Sequence, residues 1–173
     1  MRLAQGVLVL SICLVPPAAA QTVGLAPAQD PGFPGEVSGK GPMAYIVSAC
    51  LGSLFDAGLI ATDAPCAAVD RETWLAPSFG LAAAGEGFED YLIAVYADWR
   101  PSSFAKAAWL ASEVDYRLVR VSDGATLASG SLEGPVDSAE AAAQAGRISG
   151  GIGAAIGKAC AAALGQRPLG GKR

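Results

Sequence analysis

Asp90-Tyr91-Leu92-Ile93-Ala94-Val95-Tyr96-Ala97-Asp98-Trp99 is dense in β-branched and aromatic residues and reads as a β-strand. Arg100-Pro101-Ser102-Ser103 follows as a loop, and Trp109 to Val121 reads as a second long strand. Within it Val114, Tyr116 and Leu118 fall on one side, and Asp115 and Arg117 on the other. Val119 and Val121 break the alternation, which predicts a bulge or burial on both sides there. Ser122-Asp123-Gly124 is a tight-turn signal, and Ala125 to Leu132 returns as a third strand. Together the strands predict an antiparallel meander.

Upstream, Pro42 suits a first helical turn. Met43, Ile46, Val47, Cys50, Leu51, Leu54 and Phe55 then recur at helical spacing, and Gly58 stops the run. The pattern predicts a helix over 42–57, followed by a short buried strand, Leu59-Ile60-Ala61-Thr62. Ala67 to Leu75 and Phe79 to Phe88 read as short helical pieces, the latter weakened by glycines. Thr22 to Ala26 is either a short first strand or part of an unstructured leader.

Downstream, Asp137-Ser138-Ala139-Glu140 fits a helix N-cap with its acidic partner. The stripe Ala145, Ile148, Ile152, Ile156, Ala159 and Ala163 extends that helix to Leu164. Gly146, Gly150, Gly151, Gly153 and Gly157 each cost it about 1 kcal/mol relative to alanine. Such glycines imply close packing against a sheet. The fold expected is therefore one α/β domain over 41–165. It has a mixed sheet of four or five strands ending in the meander, with its two main helices on one face. Residues 21–40 form the leader with its short strand, and 166–173 a polar tail.

The first twenty residues read as an address. Met1-Arg2 are followed by an apolar run to Val15, then Pro16-Pro17 and Ala18-Ala19-Ala20, the layout of a secretory signal cleaved before Gln21. An uncleaved anchor is the alternative, but the run is short for a membrane span. Cys13, in Leu10-Ser11-Ile12-Cys13, offers lipidation as a further alternative. The expected location is the periplasm or cell envelope, soluble after cleavage, with no membrane span in the mature chain. Cys50, Cys66 and Cys160 would then sit in an oxidising compartment, where one disulfide and one buried thiol is the simplest arrangement. Sequence does not choose the pair. Cys50 and Cys160 would suit neighbouring helices on one face.

Composition narrows the chemistry. The chain has 173 residues and no histidine, which removes Ser-His-Asp and Cys-His nucleophile systems and most zinc sites. Its formal charge of −4 disfavours nucleic acid as a partner. Ser149-Gly150-Gly151-Ile152-Gly153-Ala154-Ala155-Ile156-Gly157 mimics a dinucleotide-binding glycine motif, but it lacks a preceding strand and a following sheet. Ser103-Phe104-Ala105-Lys106 matches S-x-x-K, without the third motif of penicillin-recognising enzymes. Glu86, Glu89-Asp90, Asp98 and Glu113-Asp115 supply acids for a glycosidase-type pair, or simply a solvated surface. Trp74, Trp99 and Trp109 are candidate aromatic contacts. Trp99 and Trp109 flank one hairpin loop, so cross-strand packing or partner docking is expected of them. No catalytic residue, cofactor or metal is expected.

With this order of elements, the chain resembles a group of bacterial envelope domains. These are the amino-terminal domain of the Tol translocation protein, the curli-secretion lipoprotein, and lipoprotein activators of penicillin-binding proteins. The residues that carry the likeness are Leu54-Phe55-Asp56-Ala57-Gly58-Leu59-Ile60, Glu89-Asp90-Tyr91-Leu92-Ile93, and the hairpin from Tyr116 to Gly130. The resemblance covers roughly residues 43–160. It implies a non-enzymatic module that binds another envelope protein or self-associates. A small-ligand domain with a groove lined by Trp or Tyr, and an exported hydrolase using carboxylates, are the competing expectations.

Overall fold

The computed structural model describes residues 21–33 and 41–165 of the chain. In chain order the elements are β1 (Thr22–Gln29), α1 (Pro42–Asp56), β2 (Ile60–Asp63), β3 (Ala67–Ala68), α2 (Arg71–Leu75) and α3 (Leu81–Glu86). Then come β4 (Tyr91–Pro101), β5 (Trp109–Arg120), β6 (Thr126–Glu133), α4 (Ala139–Ala143) and α5 (Ala145–Ala163). The six strands form one mixed sheet in the order β2-β1-β4-β5-β6, with β3 also beside β1. β1 runs parallel to β2, β3 and β4, whereas β4–β5 and β5–β6 are the antiparallel meander expected from the sequence.

This order places the helices. The chain leaves β1 and crosses by α1 to β2 on one side. It later returns past β1, by α2 and α3, to β4 on the other side. Crossovers between parallel strands are right-handed, so the two excursions use opposite faces of the sheet. Val23, Leu25, Ile93, Val95 and Ala97 pack with Met43, Ile46, Cys50 and Leu54 of α1 and Ile156 and Cys160 of α5. On the reverse face, Ala28, Ala94 and Tyr96 pack with Trp74 of α2, and Ala26 and Leu92 with Ala84 of α3. Burial on both faces explains why β1 and β4 are apolar or small nearly throughout rather than alternating.

Two irregularities set the meander. Asp98 pairs Glu113 but Trp99 pairs Ala111, so Ser112 is an extra residue. The shift lets Ala111 and Val114 both face α1 and α5. Farther along, Leu118 pairs Ala128 and Val119 pairs Thr126, which leaves Leu127 extra. Leu118 and Val119 are both buried, on opposite faces. The disturbed alternation at Val119 thus marks a bulge and two-sided burial together.

Several boundaries differ from expectation. Residues 22–29 are an interior strand, so the folded unit begins before residue 41. β2 is largely exposed at the sheet edge rather than buried. The helix expected over 137–164 is two helices, α4 and α5, that meet at Gln144. Its N-cap is Ser138, whose hydroxyl accepts from Ala141 N at 3.1 Å, leaving Asp137 for another task. Gly153 and Gly157 of α5 meet α1, not the sheet. A Cβ at Gly153 would lie 2.1 Å from the Ile46 carbonyl oxygen, and one at Gly157 would lie 2.6 Å from that of Cys50. The two backbones approach to a distance no side chain permits.

Candidate binding groove

The core uses one face of α1. The next face, with Ala44, Val47, Ser48, Leu51, Gly52 and Phe55, forms one wall of a groove of about 590 Å³. The opposite wall exists because β1 changes partner. β2 pairs with it as far as Leu25, and β3 takes over from Ala28. Pro27, between them, has no N–H to give. The chain at Ala64-Pro65-Cys66 leaves the sheet there and lines the groove, with Pro27 and the almost fully buried Gln29 also contributing. Phe55 stays half exposed at one end. The Cys66 thiol is pushed up to about 11 by burial and stays protonated at neutral pH. The groove therefore offers apolar surface with few polar groups. It runs along α1 from Gly41 to Phe55, and on the sheet side it borders the carboxyl ends of β1 and β2. Open α/β sheets place binding crevices at such points.

Three of the expected acids, Asp98, Glu113 and Asp115, gather on the reverse face around a cation; Glu86 is on α3, Glu89 accepts from the Thr62 hydroxyl, and Asp90 accepts from Thr22 N. Arg71 opens α2, whose N-cap Asp70 accepts from Thr73 N at 2.6 Å. Its guanidinium donates to Asp98 and Glu113 at 3.0 Å each, and to Asp115. Burial raises Asp98 above its ordinary value despite Arg71. The Ser131 hydroxyl, followed by Arg71, lowers Glu113. From β5, Arg117 reaches the other end of α2. It donates to the carbonyls of Trp74, Leu75 and Ala76 and stacks 5.1 Å from the Trp74 ring. Two arginines thus tie a five-residue helix to the sheet by both ends. A hydrolytic pair needs two acids facing a shared open space. Asp98, Glu113 and Asp115 instead face one guanidinium.

The other expected sites distribute as follows. Trp99 and Trp109 come together on the α1 face, both against Phe33, at ring distances of 5.7 and 4.9 Å. Trp74 is on the reverse face against Tyr96. The Ser103 hydroxyl donates to Asp137 at 2.7 Å, which gives it a structural partner outside the S-x-x-K pattern. Cys50 and Cys160 are both buried in the core beneath α1 and α5, yet both are free thiols, as is Cys66. Close contact at Gly153 and Gly157 joins these helices without the bridge expected there. Cys13 and the cleavage site after Ala20 lie outside the described residues. No helix among the described residues is long and apolar enough to cross a membrane. Sequence reading missed the groove because its two walls come from separate elements. The stripe Ala44, Val47, Leu51 and Phe55 was the available signal, hidden by sharing its helix with the core stripe.

No family model and no curated protein matches this sequence. Solved structures do. A PelC dodecamer from Paraburkholderia phytofirmans aligns at TM-score 0.54 and 15% identity, over 86% of this chain and 89% of that one. The hypothetical protein CT253 from Chlamydia trachomatis aligns at TM-score 0.54 and 10% identity, over 84% of this chain and 98% of that one. The fold is one that bacterial proteins share. TolB from Acinetobacter baumannii also aligns, at TM-score 0.41 and 15% identity, over 84% of this chain and 28% of that one.

Proposed function

We propose that this chain is an exported bacterial envelope module that acts by binding protein, chiefly further copies of itself, and not by catalysis. The observation that carries the reading is the groove along α1. It is an apolar surface at the end of the sheet where this fold class places its contacts. The likeness to PelC, which forms a dodecamer, favours another copy as the partner. The acids around Arg71 serve in this reading as a clamp on α2, and Trp99 and Trp109 as packing for Phe33.

The test is the mass of the assembly. The chain is expressed from its full sequence in a bacterial host, purified from the envelope without reductant, and measured by light scattering and native mass spectrometry. A defined oligomer supports the reading. A monomer at every concentration overturns self-association. The same spectra give the amino terminus, which decides between cleavage before Gln21 and lipidation at Cys13.

A further inference from the structure

Independently of self-association, we propose that the groove along α1 holds an acyl chain ending in a carboxylate, with the carboxylate at the amino-terminal end of α1 beside Gln29. Gln29 closes β1. Val23 and Leu25 face α1, so the alternation of the strand turns the Gln29 side chain to the same face, where it lines the groove. Only 2% of the residue is exposed, and its carboxamide makes no hydrogen bond to another described residue. A buried amide without a partner costs stability, and in a native fold such a group calls for a reason. The same end of the groove is formed by Gly41, which opens α1. No side chain caps this helix, Pro42 takes its first position, and its first turn carries no acid. An uncapped first turn leaves N–H donors without helical partners, and the helix dipole adds partial positive charge there. A strand end and a helix start thus offer donors at one point of a largely apolar groove. A carboxylate can accept from both.

The rest of the groove suits the chain. β1 and β2 run parallel, so α1 between them runs back against both and carries the groove from the Gln29 end toward Phe55. From Ala44 to Phe55 the helix rises roughly 17 Å, the span of a medium-length acyl chain. The wall there is Val47, Leu51 and Phe55, with Pro65 opposite, and an acyl chain needs no hydrogen-bond partner along it. The volume of about 590 Å³ lies in the range of small-ligand sites. Asp63 is the one carboxylate of the lining. It pairs Leu25, four residues before Gln29, and so stands roughly 13 Å from that residue along the sheet. Its charge repels a second carboxylate, which sets the head at Gln29 and the tail toward Phe55. A bound chain and a docked copy would compete for the same wall.

The experiment titrates the full chain, purified from the envelope and stripped of lipid, with decanoate and with decan-1-ol by isothermal calorimetry. Decanoate should bind about tenfold more tightly than the alcohol, the margin of a charge-assisted hydrogen bond. Gln29→Leu should remove that margin and leave decan-1-ol binding unchanged. Its melting temperature should hold or rise, because the change deletes an amide that has no partner. Ser48→Trp, at an exposed position on the groove wall, should abolish binding of both and keep a cooperative thermal transition. Decanoate with a diazirine near its tail should crosslink within residues 47–55 or 63–66, mapped by mass spectrometry. Equal affinity for acid and alcohol, an acid preference that survives Gln29→Leu, crosslinks confined to other surfaces, or no binding at all each overturn the assignment. A monomer that binds decanoate in the expected pattern keeps this site and overturns self-association alone. An oligomer that binds none does the reverse.

Discussion

At the scale of single residues, Asp137 does more than its place in the sequence suggests. It precedes the helix as a cap would, yet its carboxylate is bound elsewhere. Oδ1 accepts from the Ser102 hydroxyl at 2.7 Å, and Oδ2 accepts from Ser103 N at 2.8 Å and from its hydroxyl at 2.7 Å. These bonds tie the β4–β5 loop to the segment entering α4. They favour the charged carboxylate and hold Asp137 below its ordinary value of 3.8, the Ser103 backbone N–H contributing most. A carboxylate lowered in the folded state stabilises the fold above its unfolded value, and that contribution disappears as pH falls through the folded value. Asp137→Asn, which removes the charge and an acceptor, should lower the urea midpoint at neutral pH. The gap to wild type should close as the pH falls below 3.8. Urea titrations across pH 2 to 7 check this, and a gap that ignores pH removes the claim. Sequence showed Ser103 and Asp137 in separate patterns, one S-x-x-K and one N-cap. Their pairing spans 34 positions and depends on how the meander meets α4, which no local pattern encodes.

At the scale of elements, α5 separates two reasons for glycine. Gly153 and Gly157 let the α1 and α5 backbones touch. Gly151 has nothing within 4 Å of where a Cβ would stand, so its helix bears only the entropic cost. Gly153→Ala should destabilise by about 2 kcal/mol or more, since overpacking against backbone cannot be relieved by a rotamer change. Gly151→Ala should stabilise by about 1 kcal/mol. For a domain of this size each kcal/mol moves the melting temperature by roughly 2–4 °C, so calorimetry should show shifts of opposite sign. Equal shifts would mean the helices do not meet at Gly153. The glycine spacing was legible as a packing device, but not its partner. Helix and sheet place the same demand on a small-residue stripe, and only the topology decides which of them arrives. The meander was far more legible. Its signal is local, with alternation along β5 and a turn at Gly124, and its one visible defect, at Val119, marked a real bulge.

At the scale of the whole molecule, everything depends on β1, the element least evident in the sequence. Thr22-Val23-Gly24-Leu25-Ala26-Pro27-Ala28-Gln29 holds a glycine, a proline and two alanines, and such residues rarely mark an interior strand. They serve here because both faces are covered and space is short. Ala26 and Ala28 admit α3 and α2 on one side, while Val23 and Leu25 meet α1 on the other. Pro27 falls where β2 hands over to β3, so its missing N–H coincides with the break in pairing. β1 pairs with β4 over seven residues, and β2 and β3 have no other strand partner among the described residues. Without β1 the sheet would lose three strands, and the core surface of β4 and α1 would lie open. Residues 41–165, the unit expected from sequence, should therefore fail to fold alone. By circular dichroism that fragment should show no cooperative thermal transition, whereas a fragment of residues 21–165 should show one. Adding a synthetic peptide of residues 21–33 should restore it in part, because most of what the strand supplies is backbone pairing on both its sides and apolar burial, neither of which needs a covalent link. A cooperative transition in 41–165 alone would mean that the meander and its two helices are self-sufficient. β1 would then be an added strand rather than the one on which the fold is built.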